Sequence, residues 1–396
     1  MNETMVVRQC QMKPSNSASA LARSGLVDAP ENFYSLNATS DLFFSKYNNP
    51  DEDSYWYWYG KVVGSLVEDV EPSEGLWVDP QDFEQFGLYM WLSGPDIGPW
   101  WHYDQDHNFY VQVAGTKRFI LIPPWETPNM HLFPQIHPRN HKSQVDFDHP
   151  DFTTTPNYAH VNEAYLAELQ PGEVLYIPPY WWHHVRSHVR SVSLASWSQS
   201  GVFRVMRYGL YKRKFAIDAL PRDEVRRAAF RLLLLQIAQQ IYGNEHTFFD
   251  SLIQQRWDPI RAEVETNSKT TNALSTTDPN SPPIDELVSS LCGSHVGNAH
   301  LTGSAEPEAN GNPKGSIPDE VRLKLLDDVK AAVEAFENCQ TKSGAGNKGI
   351  GKDRRDMKAI RDIEFADFTE FMLEIEVGAE NVLPFLDHCL KSPPKP

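Results

Sequence analysis

A histidine and an aspartate two residues apart, His102-Tyr103-Asp104, are answered far along the chain by His183 in the run Pro178-Pro179-Tyr180-Trp181-Trp182-His183-His184-Val185. Two histidines and one carboxylate are the ligand set that occupies one face of a non-haem Fe(II) ion and leaves the opposite positions open for a cosubstrate and O₂. Strand geometry suits the first pair, because side chains at i and i+2 point the same way and can grip one ion. His102 and Asp104 open a run, His107 to Val113, that reads as strand through Phe109, Tyr110, Val111 and Val113. A second His-x-Asp, His149-Pro150-Asp151, flanks a proline in a polar segment where a central strand is disfavoured, and it reads as loop.

Parity chooses the third ligand. On an extended segment His183 shares a face with Val185, Ser187 and Val189, which suits a barrel interior. His184 shares the other face with Arg186, His188 and Arg190, and reads as a structural or surface residue.

The positioning elements are strands first and helices later. Gly87 to Leu92 and Ser191 to Trp197 read as strands, and Ala114-Gly115-Thr116 is a short turn that joins Phe109–Val113 to Lys117–Ile122 as a hairpin. Lys117 then shares a face with Phe119 and Leu121. Tyr55 to Gly60 is a dense aromatic cluster, either a buried edge element or a partner surface. Further on, Val202 to Arg213 and Arg222 to Tyr242 read as helices, the second with Phe230, Leu233, Leu234, Ile237 and Ile241 at helical spacing. That stripe packs within the chain or against a second copy of it, so a homodimer through the helices after the barrel is one expectation. The segment 264–318 is rich in Ser, Thr, Asn, Gly and Pro and reads as a flexible linker. Beyond it, Asp319–Cys339, Met357–Val377 and Ala379–Leu390 read as a small helical appendage without chemistry of its own. The expected organisation is therefore a poorly structured 1–30, a barrel at 31–200, helices at 201–263, the linker, and a helical region at 319–396.

Four blocks, in order and at matching spacing, resemble the JmjC family of 2-oxoglutarate oxygenases, in particular its small cupin-like hydroxylases such as the asparaginyl hydroxylase of hypoxia-inducible factor. They are His102-Tyr103-Asp104 with Asn108-Phe109-Tyr110, Gly115-Thr116-Lys117-Arg118, the stretch Ser143 to Asp151, and Pro171 to Pro178 running into Trp181-Trp182-His183-His184. The resemblance covers residues 85–200. It implies a mainly β fold, a double-stranded β-helix or jelly roll of cupin/JmjC type with flanking and C-terminal helices. It also implies Fe(II) on His102, Asp104 and His183, and 2-oxoglutarate as cosubstrate. Lys117 would pair with the distal carboxylate of 2-oxoglutarate, and Asn108 would lie near it. The family often has a hydroxyl residue three positions before the first iron ligand, where this chain has Pro99, which cannot donate a hydrogen bond. Tyr89, on the preceding strand, is the candidate replacement. Ala195 stands where the asparaginyl hydroxylase has an asparagine, and His141 and Lys142 stand where that enzyme has an arginine and a glutamine that touch its peptide.

The activity this implies is hydroxylation of a protein side chain with release of succinate and CO₂. Lysine demethylation, tRNA hydroxylation and a non-catalytic binding scaffold are the alternatives. Tryptophans 100, 101, 181 and 182 flank both halves of the site and read mainly as packing.

Composition bounds the setting. The 396 residues, 40% hydrophobic and 12% aromatic, are enough for a packed core with an added helical region. A net charge of -17 disfavours a phosphate grip on nucleic acid and fits a protein or peptide substrate. Cys10, Cys292, Cys339 and Cys389 form no Cys-x-x-Cys pair and offer neither a zinc ribbon nor a disulfide framework, so a reducing compartment, cytoplasm or nucleus, is expected. Met1 to Gly25 has no sustained apolar run, and no membrane segment is expected.

Overall fold

Alternating apolar residues pair into antiparallel ladders that place one side of each strand indoors. A computed structural model describes residues 4–9, 20–27, 35–48, 56–62, 87–206, 210–221, 224–270, 290–293, 317–342 and 354–392. Among them run β1 (Thr4–Gln9), β2 (Ser35–Thr39), β3 (Trp56–Lys61), β4 (Leu88–Ser93), β5 (His107–Ala114), β6 (Lys117–Ile122), β7 (Tyr165–Leu169), β8 (Val174–Ile177), β9 (Trp182–Ser187) and β10 (Ser191–Ser198). They form a seven-stranded sheet in the order β2-β1-β3-β4-β10-β5-β8 and a three-stranded sheet in the order β7-β6-β9. Tyr110, Ile177 and Ala195 of the first sheet pack against Phe119, Leu121, Leu169 and Val185 of the second, which gives the mainly β jelly-roll core.

Register decides who faces inward. In β6 and β9, Lys117 lies opposite Ser187, Phe119 opposite Val185 and Leu121 opposite His183. In the large sheet Asn108 lies opposite both Trp197 and Ile177, Tyr110 opposite Ala195, and Ala195 opposite Tyr89. Directly opposed residues share a face, so these side chains converge on one interior. The hairpin between β5 and β6 turns at Gly115, whose φ of 69° and close approach to the Arg190 carbonyl leave no room for a Cβ. The aromatic cluster becomes β3, where Tyr57 and Tyr59 stack on Trp91 of β4 and thus face the neighbouring strand of the same chain.

Two sequence expectations about the termini and linker change. Within 1–30, expected to be poorly structured, Thr4–Gln9 pairs with Ser35–Thr39 as a ladder, and Ala20–Arg23 is a helical turn, α1, followed by buried Leu26 and Val27. After α2 (Ser40–Asn48), α3 (Gly201–Met206), α4 (Glu224–Tyr242) and α5 (Thr247–Leu252), a further helix, α6 (Arg261–Thr270), runs into the segment read as linker. Residues 290–293 of that segment are also structured, whereas 271–289 and 294–316 lie outside the described residues.

The C-terminal helices are not an appendage. Helices α7 (Asp319–Lys342), α8 (Arg354–Val377) and α9 (Ala379–Phe385) share one apolar core with α4 and with Trp101, Tyr103, Tyr180 and Trp182 of the barrel. Of the stripe, Phe230, Leu233, Leu234 and Ile237 are wholly buried inside this chain and Ile241 is partly buried against the same core, so the stripe packs within the chain. Phe336 meets Phe365 edge-on at 5.2 Å and Phe368 at 6.2 Å in the same core. A disulfide joins Cys292 to Cys389, residues 97 positions apart with Cα atoms 5.3 Å apart, contrary to the expectation of no disulfide framework. Residues 290–293 are held against α4, where Arg227 Nε donates to the Ser290 carbonyl at 3.1 Å and Gly293 lies against the Glu224 carbonyl, and spacing along the chain carries no trace of the approach to Cys389. The cysteine argument for a reducing compartment thereby loses its premise. Among the described residues no helix is long and apolar enough to cross a membrane.

A buried polar seam joins α8 to the barrel. Arg256 donates to Asp367 at 2.6 Å and to Glu370 at 3.1 Å, and Glu364 accepts from Tyr180 Oη at 2.5 Å and Gln105 Nε2 at 3.0 Å. Three buried carboxyls around one guanidinium cannot all stay ionised cheaply. Burial and then the adjacent Asp367 push Glu364 up to about 7, against the two hydrogen bonds and the Arg256 charge. A carboxyl with a raised folded-state pKa stabilises the fold fully below its unfolded value near 4.5 and loses that contribution as pH rises through about 7. Thermal melts from pH 5 to 7.5 should therefore show a declining component; Glu370, which burial also pushes up to about 7, contributes to it, so Glu364→Gln, uncharged throughout, should make the decline shallower. Phe336→Ala should cost about 3–5 kcal/mol in denaturant unfolding, because it opens a cavity among aromatic neighbours.

Candidate metal centre

The three expected ligands meet. Candidate donor atoms of His102, Asp104 and His183 all lie within 4.8 Å of one another, with the imidazole centroids 4.1 Å apart and His183 Nε2 3.9 Å from Asp104 Oδ2. Backbone pairing creates the meeting. His183 N–H donates to the His102 carbonyl at 2.8 Å, His102 N–H returns a bond to the His183 carbonyl at 3.2 Å, and Tyr180 N–H reaches the Asp104 carbonyl at 2.7 Å. Gly98 lets the preceding segment cross β9, since a Cβ there would fall on the Val185 carbonyl oxygen.

The donor set fits a divalent ion. His102 Nδ1 lies 2.8 Å from the Trp100 carbonyl and His183 Nδ1 lies 3.0 Å from the Trp181 carbonyl. A ring nitrogen facing a carbonyl carries the proton, so in both rings Nε2 is the lone-pair donor and the orientation is held. Burial, and next the adjacent His183, lowers the His102 pKa to about 3, which keeps the imidazole neutral as a ligand must be. Burial alone would raise Asp104, but His183, His102 and hydrogen bonds from Trp197 and Asn108 outweigh it and hold the carboxyl below its usual range. Asp104 Oδ2 accepts from Trp197 Nε1 at 3.3 Å and Asn108 Nδ2 at 3.4 Å, and its side chain stays 30% exposed, so the centre opens to solvent on one side.

The other expected residues fall around this centre. Asn108 is buried beside Asp104, with its Oδ1 unpartnered. Lys117 is 3% exposed, on the face of the small sheet that carries His183, and its Nζ donates to Tyr110 Oη at 2.6 Å. Among the described residues no carboxylate pairs with it. Tyr89 packs edge-on against Trp197 at 5.2 Å, one ring removed from Asp104, and its hydroxyl makes no hydrogen bond among the described residues. His184 is only 7% exposed and stacks on Phe147 at 4.2 Å, so of the two readings given to it the structural one applies. His149 is exposed, and Asp151 closes a turn by accepting from Thr153 N–H at 2.8 Å, so this His-x-Asp is a loop. Trp101 and Trp182 are core residues, whereas Trp100 and Trp181 act through their carbonyls.

A model of the cupin-like domain matches residues 3–201. The chain belongs to the cupin-like domain family. Within the family it is 39% identical over 136 residues to Jumonji C domain-containing protein 5 of Drosophila melanogaster, a match covering 34% of this chain and 33% of that protein. It is 35% identical over 162 residues to tRNA wybutosine-synthesizing protein 5 of Gallus gallus, covering 39% and 48% respectively. Over 96 residues it is 38% identical to lysine-specific demethylase JMJ30 of Arabidopsis thaliana, covering 24% and 22%. Each match thus spans less than half the length of the relative.

Sequence reasoning missed Tyr110, Trp197 and the seam residues Gln105, Tyr180 and Glu364. Strand parity contained the first two, since Tyr110 shares a face with Asn108 and Trp197 with Ala195. Glu364, Asp367 and Glu370 form a three-residue repeat inside the phenylalanine-rich face of α8, a pattern without meaning until Arg256 and the barrel loops meet it. Titration with Co(II) should give one site per chain, lost in His183→Ala. His184→Ala should retain that site while lowering stability by about 0.5–3 kcal/mol, which checks the choice of ligand by parity.

Proposed function

We propose that this chain is an Fe(II)- and 2-oxoglutarate-dependent dioxygenase that hydroxylates a protein side chain. The observation that carries the reading is the His102, Asp104 and His183 cluster, with both Nδ1 atoms engaged by backbone carbonyls and a buried Lys117 on the neighbouring strand. His102, Asp104 and His183 would hold the ion, a ligand set that suits Fe(II) and would leave room for cosubstrate and O₂. Fe(II) with 2-oxoglutarate supplies the oxidation: cosubstrate, O₂ and a C–H bond become succinate, CO₂ and an alcohol.

The chain's own residues bind and orient. Lys117, an ammonium without a carboxylate partner among the described residues, takes the distal carboxylate of 2-oxoglutarate, which offsets the cost of burying the charge. Tyr110 Oη accepts from Lys117 Nζ at 2.6 Å and keeps its own proton to donate to the same carboxylate. This hydroxyl fills the part that Pro99 cannot play. Asn108, with a free buried oxygen, and Trp197 fix Asp104 from behind. Phe119, Leu121, Val185 and Ala195 wall the interior with apolar surface.

A protein substrate agrees with the net charge of -17, which works against binding a phosphate backbone. Two further readings within the same chemistry are lysine demethylation and tRNA hydroxylation, in line with relatives named a lysine-specific demethylase and a tRNA wybutosine-synthesizing protein. Succinate formation from 2-oxoglutarate should require Fe(II) and disappear in His102→Ala. A scaffold would instead give no succinate with any substrate and no 2-oxoglutarate binding to the iron-loaded protein. Lys117→Ala should raise the KM for 2-oxoglutarate about tenfold or more, the worth of a hydrogen-bonded charge pair. Mass spectrometry of the modified substrate then separates the readings, with a gain of one oxygen marking hydroxylation and formaldehyde release marking demethylation.

A further inference from the structure

We infer that Glu364, on a C-terminal helix far outside the cupin-like domain, is a positioning residue for the metal centre. The inference rests on the metal-centre reading above and goes beyond it by giving the C-terminal helices a part in that centre. Glu364 lies in α8 and is wholly buried. One of its oxygens, Oε1, accepts two hydrogen bonds, from Gln105 Nε2 at 3.0 Å and from Tyr180 Oη at 2.5 Å. Gln105 is the residue after Asp104, and Tyr180 stands three residues before His183. A single carboxyl therefore ties together the two segments that carry the metal ligands.

Tyr180 is itself a strained element. Its φ of 63° places an aromatic residue in the left-handed region, which L side chains rarely adopt. Such a conformation persists only when its surroundings over-determine it. Three constraints do so here: its N–H donates to the Asp104 carbonyl, its ring stacks on Tyr103 at 5.6 Å, and its hydroxyl ends on Glu364. Releasing the last lets the Tyr180 backbone relax, and that backbone is bonded to Asp104 itself.

The seam is anchored on the far side as well. Asp367 and Glu370, one and two turns along α8, hold Arg256, and Glu370 accepts from Gln135 N–H at 2.5 Å. The helix thus presents Glu364 at a fixed height against the ligand loops. Outer groups that orient ligands typically account for ten- to hundredfold in metal affinity.

The test uses Co(II) alone as probe, with the full chain at pH 7, reading the dissociation constant and the visible d–d spectrum. Glu364→Ala is expected to weaken Co(II) about tenfold or more and to shift the spectrum, whereas Glu364→Gln, which keeps an oxygen acceptor, should stay within about twofold of wild type. Tyr242→Phe removes the bond from α4 to Asp362 of the same helix without touching Gln105 or Tyr180. It should lower Tm while leaving affinity and spectrum unchanged. Should Glu364→Ala fail to fold, Tyr180→Phe deletes only the hydroxyl from the other side and should reproduce the weakening. Wild-type affinity and spectrum in Glu364→Ala, or in Tyr180→Phe where that variant stands in, would overturn the inference, as would equal weakening by Tyr242→Phe. Failure of the wild type to bind Co(II) would instead bring down the metal-centre reading, and this inference with it.

Discussion

The exchange of backbone hydrogen bonds between His102 and His183 is the contact on which the site depends. It is a small antiparallel bridge joining the segment ahead of β5 to the start of β9. Three ligand atoms cannot converge unless both segments run side by side in one register, because a shift of one residue turns His183 away from the interior and His184 toward it. The sheets enforce that register. On one side β6 sets Leu121 opposite His183, and on the other the close passage of Gly98 over Val185 holds the incoming segment in place.

Around this bridge the interior divides by chemistry. Apolar side chains from both sheets fill the barrel, and the polar groups at the centre engage one another or the backbone: Lys117 with Tyr110, Asn108 and Trp197 with Asp104, and the two imidazoles with carbonyls of Trp100 and Trp181. Low local polarity makes every such contact stronger and every misfit costlier. A neutral His102 and an ionised Asp104 are the protonation states that such surroundings favour, and they are the states a divalent cation requires of its ligands.

The second half of the chain is bound to the first by both apolar and ionic contacts. Aromatic residues of α8 enter the same core as Trp101 and Trp182, while its carboxyls cross into the barrel loops. Buried ion groups of this kind contribute little net stability compared with apolar packing, but they specify one docking geometry because any other leaves charges unpaired. The disulfide between Cys292 and Cys389 adds a covalent tie within the helical half.

Much of the site was legible from spacing. The inward parity of His183 and the hairpin that turns Lys117 toward Phe119 and Leu121 follow from the two-residue repeat of a strand, a local rule that needs no partner. His102 and Asp104, by contrast, lie ahead of β5, with His102 in an isolated bridge to His183. Helices α4, α7 and α8 were likewise visible in their 3.6-residue patterns, though not what covers them. Burial of His184 against Phe147, the hydroxyl of Tyr110 on Lys117, the disulfide and the link from Glu364 to Tyr180 were out of reach. Each joins residues from separate elements whose approach is set by packing, and a side chain's own sequence neighbourhood holds no record of it. By itself, then, the sequence determined which residues can act and which way each strand turns them. Tertiary structure alone decided which distant groups hold them there, since long-range contacts arise from how whole faces fit together.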